Sequence, residues 1–180
     1  MSKSIALLRA VNVGGTARIL SSDLTTFFAG LGFLDAATLL QSGNVVFTSQ
    51  KVASAALEQR LRDEAKSRLK LDTDFLVRTA KEWRRIVDDN PFPHDAKSDP
   101  ARLHVMALTG EPKRAAVEAL QNAIVGAERM VARGRQLYIH YPDGAGGSKL
   151  QPALITRHLG VRGTARNWNT TLKLLALVEG

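Results

Sequence analysis

Thr164-Ala165-Arg166-Asn167-Trp168-Asn169-Thr170, close to the C-terminus, echoes Thr79-Ala80-Lys81-Glu82-Trp83 earlier in the chain. Thr, Ala and Trp recur at the same spacing in both. Such self-similarity is the mark of one structural unit used twice. In the first copy Thr79-x-x-Glu82 has the spacing of a capping box, in which hydroxyl and carboxylate each satisfy a free backbone N–H. It therefore opens a helix, with Trp83, Ile86 and Val87 on the buried stripe. The second copy reads the same way, with Asn167 as a cap and Trp168, Leu172 and Leu175 marking a terminal helix.

Upstream of the first copy the chain runs strand, helix, hairpin, helix, strand. Ile5–Val11 is almost wholly apolar, as a strand covered on both faces must be. Ser21 or Ser22 can cap a helix carrying Leu24, Phe27, Phe28 and Leu31, stopped by Gly32. Ala37–Leu40 and Val45–Phe47 flank Gln41-Ser42-Gly43-Asn44, which has hairpin-turn chemistry. Leu57, Leu61, Ala65 and Leu69 mark a second helix, and Phe75–Arg78 a further strand. Asn90–Pro93 breaks the capped helix, and residues up to Pro100 read as a loop. The pattern then restarts. Leu103–Leu108 is a strand, and Glu111-Pro112 opens a helix bearing Val117, Leu120 and Ile124. A hairpin turns at Gly134, a helix starts near Ser148, and Gly160–Gly163 is a glycine-rich edge strand before Thr164. The fold class expected is α+β: two ferredoxin-like βαββαβ halves, each followed by an extra helix, with residues 1–94 and 95–180 as the two subdomains. Element by element, Gly43 aligns with Gly134 and Trp83 with Trp168.

Composition narrows the chemistry. The 180 residues contain no cysteine, which removes disulfides, thiolate metal sites and a Cys nucleophile. The four histidines are scattered, with no short metal-ligand spacing, so no metal and no cofactor is expected. No apolar run reaches the roughly 18 residues of a membrane span, and the N-terminus lacks a signal-peptide pattern. A cytoplasmic protein without a membrane partner is the simplest expectation. The net charge is +8, and residues 129–173 hold eight basic residues against a single acid, Asp143. A field of that sign favours anionic partners, either small molecules or nucleic acid.

Candidate ligand contacts cluster in four segments. Arg9 and Asn12 lead into Gly14 and Gly15, where backbone N–H groups can approach an anion. Gln41, Ser42 and Asn44 offer side-chain hydrogen bonds at a hairpin tip. Asp143, Gly146, Ser148 and Lys149 form a glycine-rich loop between a strand and a helix start, where free N–H groups attract anions. It departs from the Walker order, because Ser precedes Lys. Arg166, Asn167 and Asn169 open the last helix, and they replace the Lys81-Glu82 of the first copy with a more anion-attracting set. Three functional classes remain open. The first is a binder of a nucleotide-like small molecule or nucleic acid. The second is an enzyme acting on a phosphorylated or carboxylated substrate, for which Asp143, His140 and Lys149 are the clustered titratable groups. The third is a protein-interaction domain.

The ordered set IALLRAVNVGG, LLQSGNVVF, Val77-Arg78-Thr79, Asn90-Pro91-Phe92, YIHYPDGAGGSKL and TARNWNTTLKLL resembles the bacterial family called domain of unknown function 1697. The likeness runs from Ile5 to Ala176. It implies an α+β fold of two ferredoxin-like halves and no established activity. Members often carry Gly where this chain has Ala10, and a bulkier residue near Thr16.

Overall fold

The computed structural model describes residues 1–11, 18–40, 43–50 and 54–180. They divide into two compact units. One comprises Met1–Arg85 together with Lys173–Gly180, and the other Ile86–Leu172. The compact units part inside a helix, and the last eight residues count with the first unit.

The first unit contains β1 (Ser2–Leu8), α1 (Ser21–Gly30), β2 (Leu34–Thr38), β3 (Asn44–Ser49), α2 (Ser54–Leu69), β4 (Phe75–Thr79) and the start of α3 (Ala80–Asp88). Its four strands are ordered β2-β3-β1-β4, and every neighbouring pair is antiparallel. That order and the intervening helices are the ferredoxin-like arrangement. Alternation along the strands decides which side packs where. Ala6, Leu8, Val45, Phe47, Phe75 and Val77 share a core with Leu24, Phe27 and Phe28 of α1 and Leu57, Leu61 and Ala65 of α2. Phe28 is central, with its ring 4.9 Å from that of Phe47. Burying one such side chain stabilises by about 1.5–3 kcal/mol. The other side of the sheet is also buried at Ile5, Leu7 and Leu76.

The second unit repeats the order. α4 (Pro93–Ser98) precedes β5 (Leu103–Leu108), α5 (Arg114–Asn122), β6 (Arg129–Arg133), β7 (Gln136–His140), α6 (Pro152–Leu159), β8 (Gly163–Asn167) and α7 (Trp168–Glu179). Strand order is β6-β7-β5-β8, again antiparallel throughout. Met106, Leu108, Leu137 and Ile139 pack with Leu120, Ile155 and Leu159 from the helices. Leu103, Val105, Ala107 and Tyr138 are buried on the reverse side.

Several local expectations shift. β1 ends at Leu8, short of Val11, because Ala10 takes a left-handed φ of 50°. α1 has Leu20 at its N-cap with no side-chain cap, so neither Ser21 nor Ser22 caps it. Gly32 does end it, with φ 85° and its N–H on the Ala29 carbonyl at 3.0 Å. The expected loop before Pro100 contains α4. α5 begins at Arg114, after Pro112 rather than on it. The largest correction falls on Thr164-Ala165-Arg166. These residues are strand β8, paired with β5, in place of the expected Gly160–Gly163, and the helix starts at Trp168 behind its expected cap, Asn167. Leu172 consequently lies exposed, and Leu174 joins Leu175 in the buried stripe.

Matching the two sheets by hydrogen bonds corrects the repeat register. The Leu8 N–H donates to the Gly43 carbonyl as Leu108 does to Arg135, and Arg9 donates to Asp74 as Thr109 does to Arg162. Gly43 thus corresponds to Arg135, one residue past Gly134. Arg78, paired with Ile5, corresponds to Arg166, paired with Val105. Trp83 then corresponds to Thr171, not Trp168.

Candidate functional site

The corrected register assigns structural work to most of the TARNWNT motif. Arg78 and Arg166 are both buried, and each folds its guanidinium back to donate to the carbonyl of the preceding residue at 2.8 Å. Arg78 Nη1 lies 3.3 Å from Glu58 Oε1, whose carboxylate also accepts the Val77 N–H at 2.8 Å. Arg166 Nη1 donates instead to Thr164 Oγ1 at 2.8 Å. Burial pulls the Arg166 guanidinium down to about 10, which still leaves it charged at neutral pH. Asn167 is the N-cap of α7: its Oδ1 accepts the Thr170 N–H at 2.9 Å. Thr79 and Glu82 make the expected reciprocal cap on α3, at 2.8 and 3.2 Å. Asn169 is exposed.

The glycine-rich loop is not a helix-start anion cradle. α6 begins at Pro152 with Gln151 at its N-cap, because the Ser148 hydroxyl accepts the Leu150 N–H at 2.9 Å. Gln151 Nε2 donates to the carbonyls of Ala145 and Ser148 at 2.9 and 2.6 Å, so no capping box forms. Ser148 Oγ donates to Glu128 Oε1, and this hydrogen bond holds the Glu128 carboxyl below its usual range. Glu128, Asp143, Ser148 and Lys149 line one open cleft of about 270 Å³. Two carboxylates against one ammonium make that cleft acidic. Sequence reasoning missed Glu128, because it reaches Ser148 only through the β6–β7 hairpin.

His140 does not join Asp143 and Lys149. It is buried beside Asp95, with Nε2 3.5 Å from Asp95 Oδ1 and Nδ1 3.2 Å from Arg129 Nη2. Arg129 Nη2 also reaches both Asp95 oxygens at 2.8 Å, and its guanidinium lies 5.1 Å from the Phe92 ring centre. Both ring nitrogens face partners, so the group ties α4 to the β6–β7 hairpin. Tyr138, raised by burial and by Asp89, donates its hydroxyl to the Ile86 carbonyl at 2.7 Å.

Arg9 stands differently. At the end of β1 it faces Asp74 at 3.9 Å, and Arg62 of α2 reaches the same carboxylate at 3.3 Å. The Arg9 backbone is pinned by its N–H on the Asp74 carbonyl at 3.0 Å and by Thr73 Oγ1 on its own carbonyl at 2.5 Å. Both guanidinium side chains are about one third exposed, 34% and 35%, whereas Asp74 is at 8%. Arg62 Nε is buried with no hydrogen-bond partner among the described residues. The hairpin start lies alongside, since Leu8 bonds Gly43 and Leu7 pairs with Asn44. Asn44 is fully buried, and its Nδ2 donates to the Leu39 carbonyl at 2.7 Å. Asn12, Gly14, Gly15, Gln41 and Ser42 lie outside the described residues. No cluster of three or more metal-ligating side chains occurs among the described residues, and no helix there is long and apolar enough to cross a membrane.

Two four-stranded antiparallel sheets, each with two helices on one face, define an α+β chain of two similar ferredoxin-like halves. The chain belongs to the family described as "Protein of unknown function (DUF1697)", whose pattern matches residues 1–138. Among solved structures it is similar to the conserved bacterial protein SP0830 from Streptococcus pneumoniae, at 20% identity and a TM-score of 0.77 over 98% of both chains. That likeness establishes the fold. No curated protein matches.

Proposed function

We propose that this chain is a cytoplasmic binder of an anionic, nucleotide-like small molecule, seated between Arg9 and Arg62. The observation that carries the reading is the sharing of one carboxylate, Asp74, by two partly exposed guanidinium groups. One positive charge is left in surplus, and a planar fork matches phosphate or carboxylate oxygens. Asn12, Gly14, Gly15, Gln41 and Ser42 belong to the proposal as chain neighbours of that point. Gly146, Ser148 and Lys149 contribute less, given the acidic cleft around them, and buried Arg166 serves the sheet.

The small-molecule form is favoured over nucleic acid by the aromatic residues. All six Phe, both Trp and both Tyr are buried, none more than 8% exposed. Single-stranded nucleic acid is held largely by stacking on exposed rings.

Calorimetric titration with nucleoside mono- and triphosphates and sugar phosphates is the test. Binding should weaken by about tenfold or more in Arg9→Ala and in Arg62→Ala. Asp74→Asn should tighten it, because the competing carboxylate is gone. Affinity that falls in Asp74→Asn and ignores both arginines would remove the site.

A further inference from the structure

At the opposite end of β1 the first unit carries a second cavity, of about 390 Å³. That volume lies within the range of about 300–1,000 Å³ typical of small-molecule sites. Its lining includes the apolar side chains of Leu31, Phe33 and Leu34, together with Ser49 of β3. Two backbone features open it. Gly32 turns the chain out of α1 with a left-handed φ of 85°, and Asp35 does the same at 52° where the β2–β3 register shifts between Leu34 and Ala37. Strand β2 is thereby pushed off a regular ladder, and Leu34 stays half exposed at the mouth instead of filling the space.

Among the described side chains that line this cavity, Arg60 is the charged one. Arg60 of α2 lies with its guanidinium carbon 5.6 Å from the Phe33 ring centre, and its Nη2 donates to the Leu31 carbonyl at 3.2 Å. Stacking and that single hydrogen bond hold the fork in place. Arg60 makes no ion pair among the described residues. Asp35 accepts from Thr48 Oγ1 at 3.4 Å and does not pair with Arg60. A pre-positioned guanidinium beside apolar lining has the polarity of a carboxylate site: the anion takes the remaining N–H donors, and the hydrocarbon part packs along Leu31, Phe33 and Leu34.

We infer that this cavity binds a small monocarboxylate with an apolar body, such as a medium-chain or aryl-substituted acid, with Arg60 as its anion contact. The inference does not rest on the Arg9–Arg62 reading, since the two places lie at opposite ends of β1.

The test is calorimetry on the full chain with octanoate and phenylacetate. Acetate supplies the head without the body, octylamine the body with the opposite charge, and octyl phosphate a different anion on the same body. At least one of the two carboxylates should bind, while acetate and octylamine do not. Arg60→Gln should weaken binding by about tenfold or more. Leu34→Glu, which alters an exposed position at the mouth, should weaken it similarly without touching the Arg60–Phe33 stack, and so stands if Arg60→Gln fails to fold. Arg9→Ala should leave it unchanged. The proposal is overturned if neither carboxylate binds, if octylamine binds as well, if octyl phosphate binds in their place, or if a folded Arg60→Gln or Leu34→Glu variant keeps its affinity within about twofold.

Discussion

Gly43 shows how a single residue at the start of β3 is fixed by its neighbours. Its φ is 70°, and a Cβ built there would lie 2.6 Å from Val11 Cγ2 and 2.8 Å from Leu8 Cβ. Gly134, in the β6–β7 turn, has a similar φ of 56° but meets no described atom within 4 Å. Two costs that usually arrive together are therefore separated. Gly134→Ala pays the left-handed conformation alone, about 1 kcal/mol. Gly43→Ala adds overpacking against a sheet that cannot yield, for a total of about 2–4 kcal/mol. Urea midpoints of the two variants measure the difference, and equal losses would show that the close approach to Leu8 and Val11 is not rigid. The left-handed Ala10 belongs to the same scale. Gly would adopt that conformation without the cost that the Ala10 Cβ carries.

At the scale of elements, seven of the eight strands and both hairpins were legible as alternating or apolar runs between turn residues, although β2 lies at Leu34–Thr38 and not at the expected Ala37–Leu40, where Leu40 takes a left-handed φ of 60°. The eighth was not. Gly163-Thr164-Ala165-Arg166-Asn167 has no apolar alternation, and the glycines drew the expected edge strand just upstream, to Gly160–Gly163. The reason lies in the neighbouring strand: a Cβ at Gly163 would fall 2.5 Å from the Ala107 carbonyl oxygen, so β8 can sit against β5 only with glycine there. A cross-strand approach leaves no local trace, and the Thr-Ala-x-x-Trp echo then drew the repeat three residues out of register. The candidate site suffered more for the same reason. Arg9 was legible from its place before a glycine loop, whereas Arg62, Asp74 and Glu128 meet their partners only through the fold. Asn167 illustrates the consequence. Read as a ligand contact, it should affect binding; as the cap of α7 it should affect stability. Asn167→Ala should cost about 1 kcal/mol and Asn167→Asp much less, because a carboxylate caps as well. Parallel thermal melts and ligand titrations of both variants decide the matter. A loss of affinity in Asn167→Ala with unchanged melting would restore the residue to the site.

For the molecule as a whole, pH gives a readout that depends on burial across a central strand. His104 lies on β5, with its ring 5.1 Å from that of Tyr141. Burial lowers its pKa from the ordinary 6.5, against a smaller upward effect of its hydrogen bond to the Ala101 backbone. Tyr141 is shifted by the same surroundings, pushed up to about 12 chiefly by burial, and its hydroxyl donates to the Leu150 carbonyl at 3.0 Å. The neutral imidazole is thus the form the fold prefers. Above pH 6.5 both folded and unfolded chains hold it neutral, and its contribution is complete. As pH falls below 6.5 the unfolded chain takes up the proton first, so the unfolded state gains and stability declines until the folded pKa is passed. The urea midpoint should therefore drop between pH 7.5 and pH 5. Other groups titrate in that interval as well, so the informative quantity is the difference between the native chain and His104→Gln, which retains a side-chain donor for the Ala101 carbonyl. The variant should lose less stability over that interval. Parallel midpoint curves for the two proteins would mean that His104 is hydrated well enough to protonate in place, and that the β5 face beside Tyr141 is open to water.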